Sequence, residues 1–119
     1  MSNTADYKFR LPPPLNRTYR AVFSSRLHRT VFFMDYPAKK WKVDAKREIQ
    51  KNPIFFEGKV FMKVNWFLKR DRDIDSGLKL LIDAFEDICF KDDIHIVKLE
   101  VNKSRVETDG FVTVSLQNA

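Results

Sequence analysis

Residues 59–69 constrain this chain more than any other stretch. Val60, Met62, Val64, Trp66 and Leu68 alternate with Phe61, Lys63, Asn65 and Phe67, so one side of the segment is wholly apolar and the other mixed. Strict alternation lines up side chains on the two faces of a strand, whereas a helix would scatter them. A strand with so apolar a face needs a cover. The next periodic segment supplies one: Leu78, Leu81, Ile82, Phe85, Ile88 and Cys89 recur at helical spacing, which predicts an amphipathic helix from Ser76 to Phe90. Cys89 on that stripe reads as a small core residue, not a nucleophile.

The flanking segments extend the same scheme. Residues 1–5 read as a frayed terminus, and Tyr7, Phe9 and Leu11 alternate with Lys8 and Arg10 as a half-buried strand. Pro12-Pro13-Pro14 ends it, since proline lacks a backbone donor. The run reads either as a stiff turn or as a displayed ligand for another protein. Arg17–Phe23 and Arg29–Asp35 are strand candidates joined by a hairpin or an extended basic loop. Pro37 suits a first helical position, so Ala38–Lys51 reads as a helix with Trp41, Ala45 and Ile49 inward and Asn52-Pro53 as its stop. Two more strands, Ile94–Val101 and Phe111–Leu116, close the chain across a loop spanning Asn102–Gly110. The expected fold is α+β, one domain over residues 1–119 with a central mixed sheet packed by two main helices.

Composition narrows the function classes. With 119 residues, 44% of them hydrophobic and 13% aromatic, the chain can build a core without staples. The single cysteine and two histidines exclude an intramolecular disulfide framework and a Cys/His zinc site. No apolar run approaches the roughly 18–20 residues of a membrane span, and the polar start does not resemble a signal peptide. The expectation is a cytoplasmic protein of a bacterium or a virus-infected cell. The net charge is +6, but residues 1–72 hold 17 Lys/Arg against 6 Asp/Glu, and residues 73–119 hold 5 against 10. Between Lys8 and Arg29 there are six basic residues and no acid. A basic first half interleaved with Tyr19, Phe23, Phe32 and Phe33 suits a polyanion such as nucleic acid. The candidate phosphate contacts are Arg17, Arg20, Arg26, Arg29, Lys39, Lys40, Lys42, Lys46, Lys69, Arg70 and Arg72. Phe23, Phe32 and Phe33 pack a core or wedge into opened DNA. His28 and His95 carry little information.

The chemistry sits between the best strand and the best helix, in Arg70-Asp71-Arg72-Asp73-Ile74-Asp75-Ser76. Two residues apart in an extended segment, Asp73 and Asp75 would project to one side, the way a protein aims carboxylates at a hard cation. Lys79 follows one turn into the helix, where an ammonium can hold a phosphate or a developing negative charge. Asp83 lies four residues further and can pair with it. A second acidic pair, Asp92-Asp93, precedes the next strand. The same residues also suit ordinary helix caps and turns, and both readings stand at this point.

The run Arg72-Asp73-Ile74-Asp75-Ser76-x-x-Lys79, then Asp83, then Lys91-Asp92-Asp93-Ile94-His95-Ile96-Val97 resembles the RusA family of Holliday junction resolvases. That family carries a D-x-D-N-x-x-K run, a downstream aspartate and a D-D-x-x-V ending. Leu11-Pro12-Pro13-Pro14-Leu15-Asn16-Arg17-Thr18-Tyr19-Arg20 is similar to the family's opening. Ser76 stands where the family usually has asparagine. The resemblance implies a small homodimeric endonuclease, often phage- or prophage-encoded, that cuts four-way DNA junctions symmetrically with Mg²⁺ or Mn²⁺. Carried over, Asp73, Asp75 and Asp93 would bind the metal and Lys79 would be the catalytic lysine, with Asp92, Asp83 and Ser76 in support.

Geometry adds a conflict. A helix from Ser76 to Phe90 spans roughly 20 Å at 1.5 Å per residue, which sets Asp75 and Asp93 far apart. Either the helix is shorter or bent, or a two-fold partner supplies its own Asp93 to a shared site. Three other function classes compete: a non-catalytic junction- or nucleic-acid-binding accessory protein, an adaptor displaying Pro12–Pro14, and a small RNA nuclease.

Overall fold

The computed structural model describes residues 4–13, 19–26, 29–34 and 36–119, and for 19–24 and 30–34 the backbone alone. In chain order the elements are β1 (Thr4–Arg10), β2 (Tyr19–Ser24), β3 (Arg29–Met34), α1 (Tyr36–Gln50), β4 (Val60–Leu68), α2 (Leu78–Phe85), β5 (Ile96–Arg105) and β6 (Phe111–Asn118). A 3₁₀ turn, Asp93–His95, leads into β5.

β4 is the centre of the molecule, as its alternation predicts. It pairs antiparallel with β6, Val64 opposite Val114 and Trp66 opposite Val112, and parallel with β5, Val64 opposite Val101. With β1 antiparallel on the far side of β6, the sheet order is β1-β6-β4-β5. The parallel pair needs a crossover, and α2 lies in it. β2 and β3 form a separate two-stranded hairpin, Ala21 opposite Phe32.

One face of the sheet carries the core. Val60, Met62, Val64 and Trp66 of β4, Val112, Val114 and Leu116 of β6, and Ala5, Tyr7 and Phe9 of β1 are all buried there. Trp41, Ala45 and Ile49 of α1 and Leu81, Ala84 and Phe85 of α2 cover them. Phe85 stands edge-on to both Tyr7 and Phe9, a favoured packing of ring quadrupoles. The Trp41 indole donates to the Arg10 carbonyl at 2.8 Å and ties α1 to the end of β1. The opposite face of the sheet is open. It carries Phe61, Lys63, Asn65 and Phe67 of β4, with Phe111, Thr113 and Ser115 of β6 alongside.

Four expectations need correction. Thr4 and Ala5 are not frayed: they pair with Gln117 and Leu116, and Ala5 is buried. β5 runs to Arg105, because Asn102–Arg105 find backbone partners along Asn65–Leu68. β6 likewise runs to Asn118, since Gln117 and Asn118 pair with Phe61 and Val60. The second helix ends at Phe85 instead of Phe90 and starts at Leu78. Glu86 turns to extended backbone and Asp87 takes φ 66°, a left-handed conformation that aspartate tolerates better than most residues. The apolar stripe survives the break because Cys89 still bonds back to the Phe85 carbonyl at 2.9 Å and is buried. Periodicity alone could not reveal the reversal.

The displayed-ligand reading of the proline run does not hold for Pro12, which is buried and whose carbonyl is bonded within the fold. Pro14 lies outside the described residues.

Candidate active site

The loop joining β4 to α2 is held by several of its own atoms. The Trp66 indole donates to the Ile74 carbonyl at 2.8 Å. The Arg72 guanidinium donates to the Pro12 carbonyl at 2.8 Å, although 60 residues separate them. Burial lowers the Arg72 pKa, yet a guanidinium keeps its charge under any ordinary condition. Lys103 on β5 donates to both the Asp71 carboxylate (2.9 Å) and the Arg72 carbonyl (3.1 Å). The Lys103 ammonium holds the Asp71 carboxyl below its usual range.

Within this frame Asp73 and Asp75 point into solvent. Their segment is a turn rather than the extended chain expected: the Ser76 N–H donates to the Asp73 carbonyl, and the Leu78 N–H to the Asp75 carbonyl, both at 3.0 Å. Ser76 is buried, and the helix cap falls to Gly77 instead. Gly77 has φ 85° and makes no side-chain cap, and an added Cβ would lie 2.8 Å from Pro12 Cγ. Only glycine meets both demands without strain.

Lys79 occupies the first turn of α2 and bridges two carboxylates, Asp83 at 3.0 Å and Asp93 at 3.1 Å. These hydrogen bonds, Asp83 first, raise its pKa, so Lys79 is a fixed cation at neutral pH and not a base. The Lys79–Asp83 pair is the one expected from i,i+4 spacing. Asp93, fourteen residues away, is brought back by the reversal at Asp87. The helix is therefore the shorter one, and Asp93 reaches Lys79 of its own chain. Asp92 caps the 3₁₀ turn by accepting from the Ile94 N–H at 2.9 Å, a structural role.

Glu86 belongs to the same neighbourhood and was not among the sequence candidates. Burial, then the charge of Asp83, pushes its carboxyl pKa up. Its spacing from Asp83, three residues along one helix face, was the available signal. Lys46 of α1 donates to the Glu86 carbonyl at 3.4 Å, so the basic helix borders the acidic cluster.

The basic set divides. Lys69, Arg70, Lys39, Arg26 and Arg29 are exposed, and Lys42 is half-buried. Lys40 is engaged with Asp44 at 3.3 Å, Lys46 with α2, and Arg72 with Pro12. Arg72 is therefore a clamp on the loop and not the free phosphate contact expected from its position. Arg17 and His28 lie outside the described residues, as do the side chains of Arg20, Phe23, Phe32 and Phe33.

Asp73, Asp75 and Asp93 offer oxygen donors, the chemistry a hard divalent cation prefers. Among the described residues no three carboxylate, imidazole or thiolate groups converge on one metal position, and Asp93 serves Lys79.

A carboxylate-and-lysine cluster at a helix start, bordered by basic residues, has the composition of a phosphodiester-cleaving site. A family model for the endodeoxyribonuclease RusA matches residues 12–117, nearly the whole chain. The chain belongs to the RusA endodeoxyribonuclease family, whose members are Holliday-junction-resolving endonucleases. Among curated proteins no individual relative matches it. Among the described residues no helix is long and apolar enough to cross a membrane.

Proposed function

We propose that this protein resolves four-way DNA junctions in recombination and repair, as a homodimer making paired symmetric cuts with Mg²⁺, for which Mn²⁺ substitutes. Asp73, Asp75 and Asp93 carry the oxygen donors such an ion would take, although the three do not converge on one position in this structure. When bound, the ion supplies polarisation of the scissile phosphate and a hydroxide nucleophile near neutral pH. The observation that carries the assignment is the return of Asp93 to Lys79 beside the loop of Asp73 and Asp75. Lys79, locked in its cationic form, offers a fixed positive charge to the developing phosphorane. Asp83 holds the ammonium in place, and Arg72, Trp66 and Lys103 hold the loop. Lys69, Arg70, Lys39 and Lys42 are suited to phosphates, which position DNA without reading its sequence.

Support for the homodimer comes from β5, a ten-residue edge strand whose outer rim has no strand partner among the described residues. Val97 and Leu99 on it and Ile94 in the 3₁₀ turn before it are 54%, 43% and 77% exposed, apolar surface that a second copy would cover. A cytoplasmic, phage- or prophage-encoded protein fits this activity.

The test compares wild type with Asp75→Asn on a labelled four-way junction and a matching duplex, with Mg²⁺ and with EDTA. The expected result is symmetric, metal-dependent nicking of the junction that the variant loses while still binding. Binding without cleavage by wild type, in Mn²⁺ as in Mg²⁺, would replace this reading with a non-catalytic junction-binding protein.

A further inference from the structure

The two helices cover one face of the sheet, and the other face has a composition of its own. At one end Phe67 and Phe111, cross-strand neighbours on β4 and β6, stack with ring centroids 4.6 Å apart and planes 19° apart. The Lys8 ammonium sits 4.2 Å over the Phe111 ring. At the other end Phe61 lies half-exposed with the Lys98 ammonium 4.6 Å above it. Between the two ends the floor is polar, built from Asn65, Thr113 and Ser115 around Lys63. Along β4 the rings are six residues apart, roughly 20 Å at the rise of a strand.

Opposite Phe61, Lys63 and Asn65, β5 presents Lys98, Glu100 and Asn102, and β6 presents Gln117, Ser115 and Thr113, so a protein partner would find little aliphatic surface to bury. Flat rings, each with an exposed lysine ammonium over one face, offer something else, since the flexible stem lets the ammonium move onto a phosphate and leave the face to a base. Every nucleobase has a π-face that stacks on an aromatic side chain, and the phosphates between bases need cations beside those rings. The charges agree: Lys8, Lys63 and Lys98 stand against Asp6 and Glu100, Glu100 is already paired with Lys63 at 3.3 Å, and Arg10 is engaged with Asp44 of α1 at 3.0 Å.

We propose that the open face of the sheet is a platform for an unpaired DNA strand, with bases stacking on Phe61 and on the Phe67–Phe111 pair and phosphates held by Lys8 and Lys98. The proposal rests on the reading that the chain acts on DNA, and it assigns to this face a strand separated from its complement rather than a duplex arm. It uses none of the carboxylates of the candidate active site.

The experiment measures binding of a fluorescein-labelled oligothymidine of about 16 nucleotides, the upper end of what one such surface covers, by anisotropy across a salt series. Phe61→Leu/Phe111→Leu keeps apolar bulk and removes two flat faces; Lys8→Gln/Lys98→Gln keeps the exposed stems and removes two charges. Wild type should bind, and the ring variant should bind about tenfold or more weakly, as lost base stacking predicts. The lysine variant should show a salt slope shallower by roughly 1.4. Melting temperature and light scattering accompany each variant. Equal binding by the ring variant and wild type would overturn the platform. So would a wild type that cuts junctions yet ignores the oligonucleotide, with the nuclease reading left standing. Loss of binding accompanied by a change from dimer to monomer would make this face an interface between copies instead. Oligonucleotide binding that depends on the rings, in a protein that cuts no junction, would uphold the platform and sink the nuclease reading.

Discussion

Arg72→Met tests whether the acidic loop is held by its own chain. Methionine keeps most of the aliphatic stem and removes the guanidinium, so the change isolates the 2.8 Å bond to the Pro12 carbonyl. Pro12 is buried, and its carbonyl would lose a charged donor. A hydrogen bond from a charged group contributes about 1.5–3 kcal/mol. Unfolding entropy near 2.1 cal/mol/K per residue makes 1 kcal/mol worth about 4 °C for a chain of this length. The expected loss in Tm is therefore about 6–12 °C, read by circular dichroism at neutral pH. Junction cleavage should fall further than stability accounts for at a temperature where the variant is folded, because Asp73 and Asp75 ride on the released loop. Arg72→Lys, which keeps a charge and one possible donor, should recover part of both. A Tm within about 2 °C of wild type together with full cleavage by Arg72→Met would refute the clamp.

Three further outcomes follow from particular contacts. Gly77→Ala should destabilise by about 1–3 kcal/mol, from its left-handed φ and the 2.8 Å approach to Pro12 Cγ, as measured by urea denaturation. Tyr7→Phe removes a hydroxyl that donates to the Asn52 carbonyl at 3.0 Å and lies 3.6 Å from the Cys89 sulfur, and should cost about 0.5–1.5 kcal/mol at pH 7. Burial raises the pKa of both Tyr7 and Cys89, so the folded state keeps protons that the unfolded chain releases. Wild-type stability should be level below about pH 8 and fall progressively above about pH 9; Tyr7→Phe should show a shallower alkaline decline, and identical slopes would contradict this. Leu99→Lys, on the exposed edge strand, should shift light-scattering mass from dimer to monomer without lowering the monomer's helical signal.

Local pattern by itself determined a good deal of this protein. The alternation of Val60, Met62, Val64, Trp66 and Leu68 defines the central strand because period two admits one buried face, and the i,i+4 spacing of Trp41, Ala45 and Ile49 defines α1 for the matching reason. The i,i+4 relation of Lys79 and Asp83 was legible too, since helix geometry is local. An acidic run within a basic chain marks Asp73 and Asp75, and Asp93 joins them through the family resemblance. What neighbouring residues could not specify was where the helix ends. The stripe through Ile88 and Cys89 is satisfied equally by four more helical residues or by a reversal, and only packing against the sheet selects the left-handed turn at Asp87. That turn brings Asp93 to Lys79 of its own chain. The inward course of Arg72 has the same origin: its partner, the Pro12 carbonyl, is sixty residues away and adjacent only once β1 and β4 share a sheet. Tertiary structure decided these positions because each depends on contacts between segments distant in sequence, to which periodicity is blind.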